Sequence, residues 1–160
     1  MKQSRWFCIV AAFLILCFAA SELFAQAADP ANGTWELNLA KSKFASGPAS
    51  KSQTRTYEVV GERLTYTNKV VDADGKSRLV QFTVNYDGKD YPETGEPSVD
   101  MISYKRIDRF TIENIEKKAG KVVARNRRVV SADGKVMTVT SVSTNEKGET
   151  LTTVLVFDKK

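Results

Sequence analysis

Trp35, Leu37 and Leu39 are apolar and alternate with Thr34, Glu36 and Asn38, and this period of two recurs along nearly the whole chain to Phe157. Such a period sends alternate side chains to opposite faces of a strand, one wet and one buried. Gln53–Val60 and Arg63–Asp72 flank Gly61-Glu62, and Asp74-Gly75 leads into Ser77–Tyr86, where Val80, Phe82, Val84 and Tyr86 share a face. Asp87-Gly88, Ile107-Asp108, Gly120, Asp133-Gly134 and Lys147-Gly148 punctuate the rest. Glycine suits these tight turns because it accepts a positive φ without steric cost. No stretch between them reads as a helix of any length. The pattern predicts an all-β domain: a single antiparallel up-and-down β-barrel of about 8–10 strands, closed so that no long edge stays unpaired. In such a barrel Trp35 is expected to be structural, buried where the first strand meets the last.

The N-terminus has a different composition. Lys2 and Arg5 precede an apolar run from Trp6 to Ala20, and Ala25-Gln26-Ala27 has the small-x-small form at which signal peptidase cuts. The run is shorter than the roughly 20 residues of a membrane-spanning helix. Bulky Leu16 before Cys17 argues against lipoprotein processing. The reading is a cleaved signal peptide at 1–27 and one exported domain at 28–160, periplasmic or extracellular and monomeric. Cys8 and Cys17 are the only cysteines, so the exported domain has no thiol and no disulfide.

Three motifs carry a family resemblance. Gly33-Thr34-Trp35 resembles the opening motif of lipocalins, barrels that hold small apolar molecules. Gly33-Thr34-Trp35-x-Leu37-Asn38-x-x-Lys41-Ser42-Lys43-Phe44, Tyr86-Asp87-Gly88-Lys89-Asp90-Tyr91-Pro92-x-x-Gly95 and Ser103-Tyr104-Lys105-Arg106-Ile107-Asp108 together resemble a group of uncharacterised exported bacterial proteins of lipocalin-like type. The resemblance runs over nearly the whole exported domain. It implies a calycin-type barrel outside the cytoplasm and carries no established activity or catalytic residues.

Composition narrows the chemistry. The chain contains no histidine, which excludes Ser-His-Asp and Cys-His catalysis and removes the usual imidazole ligands of transition metals. No cofactor or metal site is expected. Asp72-Ala73-Asp74-Gly75 starts like a calcium loop, but position 83 is Thr where a bidentate Glu is needed, so it reads as a turn. No glycine-rich phosphate loop follows a strand into a helix, and aromatic and basic residues do not cluster as a nucleic-acid surface requires. The net charge of +5 is a mild excess, compatible with weak association with anionic surfaces.

The candidate ligand-binding residues are Tyr66, Phe82, Tyr86, Tyr91, Tyr104 and Arg106. Val80, Phe82, Val84 and Tyr86 would supply the apolar wall of a pocket for a small apolar or amphipathic ligand, and Tyr66, Tyr104 and Arg106 the polar groups that orient it. Arg106, on the face of Ile102 and Tyr104, would meet an anionic head near the rim. Four alternatives stay open. Inward aromatics such as Tyr66, Phe82, Phe110 and Phe157 either line a hollow or fill it, the second making the protein a structural or interaction module. Phe44 either plugs a barrel end or lies in a surface crossover. The acidic stretch Asp87–Asp100 is a cation-binding or gating loop, or a solvated connection. Arg128, on the face of Ala124 and Asn126, is either an interior anchor or one of a run of solvated strand charges. An enzyme using Tyr, Arg and carboxylates is a third class of function, behind non-catalytic binding and the interaction module.

Overall fold

The computed structural model describes residues 28–45, 49–145 and 147–160. The expected signal peptide with Trp6, Cys8 and Cys17 lies outside the described residues, as do Gly47 and Pro48 of the loop after the first strand. Ten strands follow in order: β1 (Gly33–Leu37), β2 (Ser52–Val60), β3 (Arg63–Val71), β4 (Ser77–Asn85), β5 (Asp87–Pro92), β6 (Met101–Arg106), β7 (Thr111–Lys118), β8 (Lys121–Val130), β9 (Val136–Thr144) and β10 (Thr150–Lys159). They form one antiparallel sheet in the order β4-β3-β2-β1-β10-β9-β8-β7-β6-β5. Pairing of β1 with β10, Trp35 opposite Lys159 and Leu37 opposite Phe157, wraps that sheet into a nearly closed up-and-down barrel. The one helical piece among the described residues is a 3-10 turn at Leu39–Lys41.

Two local expectations differ from the structure. The first strand stops at Leu37, because the Asn38 side chain accepts a hydrogen bond from the Lys41 amide (3.1 Å) and caps the 3-10 turn. Leu39 is therefore exposed rather than inward. The second concerns Asp87-Gly88. The chain does turn there, with Gly88 at φ 76°, but β4 and β5 diverge instead of forming a hairpin. They leave a seam with one backbone bridge on the barrel wall, at Gln81 and Thr94, whose backbones exchange hydrogen bonds of 3.0 and 3.2 Å. The remaining turns are as expected: at Asp74-Gly75 the Gly75 amide donates to Asp72 (2.9 Å) and the Lys76 amide to the Asp74 carboxylate (3.0 Å).

The barrel is filled at one end. Trp35, Leu64, Ile112, Met137 and Phe157 are fully buried there, whereas Phe44, partly buried against the core, lies farther along β10, where Lys43 pairs with Val154. Phe110 lies instead in the β6–β7 turn beneath the Arg109 guanidinium and takes no part in this core. Residues 28–32 fold across the packed end. The Trp35 indole donates to the Ala31 carbonyl (2.8 Å), and Asn32 both donates to and accepts from Val59. Truncating so large a buried side chain removes its transfer free energy and leaves a cavity, together about 3–5 kcal/mol. Trp35→Ala is expected to lower unfolding stability by that order in a urea titration; a loss below about 1 kcal/mol would show that the ring does not anchor the closure.

Candidate functional site

Toward its other end the barrel is hollow. A cavity of about 310 Å³ opens between the inward faces of β2, β3, β4, β6, β7, β8, β9 and β10. Tyr66, Phe82 and Tyr104 of the expected residues line it, as do Tyr57 and Ile102. The aromatic rings form a chain: Tyr57 meets Tyr66 edge-on at 4.9 Å, Tyr66 stacks on Phe82 at 4.5 Å, and Phe82 reaches Tyr104 at 5.5 Å. The last contact crosses the seam between β4 and the strands beyond it. Burial pushes the Tyr66 and Tyr104 phenols well above their ordinary range, so both stay protonated.

The other three expected residues lie elsewhere. Tyr86 is buried beside the cavity, with its hydroxyl 3.4 Å from Nη2 of Arg128 and its ring under the Arg106 guanidinium at 4.2 Å. Arg106 is not at the rim. It sits at the packed end, where it donates to the Asp29 carboxylate (2.8 Å). Tyr91 packs partly buried on β5; its hydroxyl accepts from Asn85 and donates to Asp87, each at 3.0 Å. Strand parity puts Arg106 on the inward face, but its height along the barrel depends on register, which a single strand does not encode.

The polar lining comes from residues outside the expected set. Arg128 is buried at 4% exposure, overturning its reading as a solvated strand charge, whereas Arg127 on the opposite face is exposed and paired with Glu113 at 2.7 Å. The Arg128 guanidinium lies over the Tyr57 ring at 4.8 Å, and Nε and Nη1 have no hydrogen-bond partner among the described residues. Arg55 lies over the Phe157 ring at 4.3 Å and donates to Gln53 (3.2 Å), leaving its Nε unpartnered. Asn68, opposite Arg55 on β3, has a buried amide oxygen without a partner. Arginine keeps its charge under any ordinary condition, so Arg55 and Arg128 bring two cations to this space in addition to Arg78, which is paired with Glu96.

Carboxylates gather nearer the mouth. The acidic stretch is tied into the fold and is not a plain solvated connection. Asp87 and Asp90 are engaged by Tyr91 and Lys117, Asp100 accepts from the Ala119 amide, and Glu96 pairs with Arg78, which also meets Asp72 at 3.2 Å. Among the described residues no three acidic side chains converge as a metal site. Residues 93–100 fold over the cavity instead. Gly95, at φ 94°, lies so close to β4 that a Cβ there would overlap the Leu79 carbonyl oxygen. This strap carries Glu93 into the lining, opposite Glu116 of β7. Burial first, then repulsion from Glu116 and Glu96, pushes the Glu93 carboxyl up to about 8 against the pull of Arg78. Burial also raises Glu116, although Asn126 donates to it at 2.8 Å.

A carboxyl that keeps its proton longer in the folded chain than in the unfolded one stabilises the fold below its ordinary titration range. That support is withdrawn as the pH rises through its folded value. Glu93 and Glu116 act in this sense. The depressed aspartates Asp74, Asp87, Asp108, Asp133 and Asp158 act the opposite way in a separate acid window, their support being lost as the pH falls through their lowered values. The melting temperature is expected to fall between about pH 5 and pH 9, and Glu93→Gln is expected to flatten that fall. An unchanged slope in the variant would mean that Glu93 stands in water.

Comparison with known proteins adds the fold. No protein-family model and no curated protein matches the chain. Among solved structures, a zebrafish ileal bile acid-binding protein complexed with cholic acid matches with a TM-score of 0.53 at 13% identity, covering 82% of this chain and 99% of that one. Rv2717c from M. tuberculosis matches with a TM-score of 0.54 at 15% identity, covering 84% and 96%. At such identities the likeness is one of architecture, and the chain has a calycin-type barrel.

Proposed function

We propose that this protein binds a small amphipathic anion, without catalysis, in the interior of its barrel. One observation carries the reading: a buried guanidinium, Arg128, on the cavity wall with two unpartnered nitrogens and no carboxylate paired to it among the described residues. An isolated buried charge costs several kcal/mol, and an anion entering the cavity offsets that cost. Arg55 adds a second donor, and the Tyr57–Tyr66–Phe82–Tyr104 wall supplies apolar contact. Pockets for small molecules commonly combine such a wall with a few convergent polar groups. The cholic acid of the zebrafish structure is an amphipathic anion of this general kind. Arg128 takes the anchoring part that the sequence suggested for Arg106, whose charge is met by Asp29.

Titration with a fluorescent fatty acid tests this. Saturable binding to the wild type is expected. Arg128→Gln should weaken it about tenfold or more, since a charge-assisted hydrogen bond contributes about that factor. Arg127→Gln, one residue along and on the outer face, should not. Absence of binding by the folded wild type would leave a structural or interaction module, and equal binding by the two variants would remove Arg128 from the site.

We also propose that the domain works outside the cytoplasm, as a member of the exported lipocalin-like group that its motifs resemble. The support is the charge, apolar length and small-residue pattern of residues 1–27. Cleavage after Ala27 would spare Asp29 and Ala31, the partners of Arg106 and Trp35. Intact-mass measurement on the exported fraction is expected to give a chain beginning at Ala28; recovery of the full-length chain would tie it to the membrane.

A further inference from the structure

The cavity is charged in two places and with two signs, and fatty acids answer only one of them. Strand register fixes the separation. Arg128 lies opposite Ile112, and Glu116, on the same strand as Ile112, lies opposite Ala124. Four residues at roughly 3.4 Å each put about 13 Å of strand between the cationic and acidic levels of this wall. At the acidic level two carboxylates remain without a cation paired to them among the described residues. Glu96 is taken by Arg78 and Ser98. Glu116 has an amide donor in Asn126 and feels Arg55 only at longer range, while Glu93 enters the lining from the strap. Directly opposite Arg55 on β3, the buried amide oxygen of Asn68 is an acceptor with no donor. The unpartnered groups thus sort along the wall, Arg128 deeper and Glu116 with Glu93 toward the mouth, while Arg55 and Asn68 face the same space as register partners on β2 and β3.

Resting on the anion-binding reading above, we infer that the cavity selects a bipolar ligand, whose anionic end lies on Arg128 and Arg55 and whose far end presents a protonated amine to Glu93 and Glu116. A purely anionic amphiphile satisfies the guanidinium but leaves its apolar tail against two carboxylates. A ligand with an ammonium at the far end satisfies both levels, and its apolar middle lies along Tyr66, Phe82 and Tyr104. A chain of about eight carbons suits the separation once both side chains lean inward. Near pH 9, above the raised value of Glu93, that carboxylate is charged while an alkylamine keeps its proton.

Calorimetry near pH 9 with octanoate, 8-aminooctanoate and octylamine tests this on the purified chain. The amino acid is expected to bind about tenfold more tightly than octanoate, the factor of one charge-assisted hydrogen bond. Glu93→Gln/Glu116→Gln should erase that preference while leaving octanoate binding at least as strong. The amides keep the volume, and the new side-chain carbonyl on β7 can still accept from Asn126, so the double variant should melt no lower than the wild type. Equal or tighter binding of octanoate to the wild type would overturn the bipolar inference and leave the anion-binding reading intact, as would a preference that survives in the double variant. Octylamine binding as tightly as 8-aminooctanoate, with no loss in Arg128→Gln, would overturn the anion-binding reading itself. Failure of all three probes to bind a folded wild type would overturn both.

Discussion

The pairing of β1 with β10 joins the two ends of the domain, and every other feature relies on it. All other strand pairings join neighbours in sequence; this one alone spans the chain. Without it the strands would fall into two open sheets, β1–β4 and β5–β10, each with two unprotected edges and with no inside between them. The closure is reinforced from within and without. Trp35 sits fully buried beneath it, Lys159 lies over the indole ring at 5.0 Å, and Lys160 meets Glu36 at 2.6 Å on the outer surface. The short β1 is thus held by packing and side-chain contacts as much as by its ladder.

An inside created this way needs filling, and the chain fills it unevenly. At one end aliphatic and aromatic side chains pack without remainder. Above them the inward positions pass to Arg55, Asn68, Asn114, Glu116, Asn126 and Arg128. Such residues cannot collapse upon one another as an apolar core does, because each demands a partner of defined geometry. Rings partly meet the demand: Phe157 and Tyr57 face the two guanidinium groups, a favourable but incomplete substitute for an anion. The cavity is where this chain departs from simple burial of apolar surface, and such departures tend to mark function rather than stability.

Strand identity and barrel class were legible because period-two alternation and glycine turns are local properties. The side each residue faces was legible for the same reason: Arg128 shares its parity with Ala124 and Asn126, and Tyr66 with Leu64 and Asn68. Axial position was not, since it depends on register between strands far apart in sequence. That is why Arg106 and Arg128, both inward by parity, could not be ranked, and Arg106 proved to be the partner of Asp29. Glu93 was hidden for another reason. Its residue range reads as polar loop, and only the close approach of Gly95 to β4 turns the strap back across the mouth.

The seam between β4 and β5 gives the barrel a preferred place to yield. At the packed end the two strands are tethered covalently through Tyr86. Beyond it they are clasped by Asn85 donating to Tyr91, by backbone and Thr94 hydroxyl hydrogen bonds at Gln81, and by the Arg78–Glu96 ion pair. Elsewhere on the wall, opening would break a full ladder. Parting this clasp is therefore a sub-global fluctuation, separable from unfolding and far less costly, of the kind that amide exchange resolves into independent units. The barrel is in this respect a hinged vessel, stiffest in the eight strands away from the seam and easiest to part along the line where the chain itself is continuous.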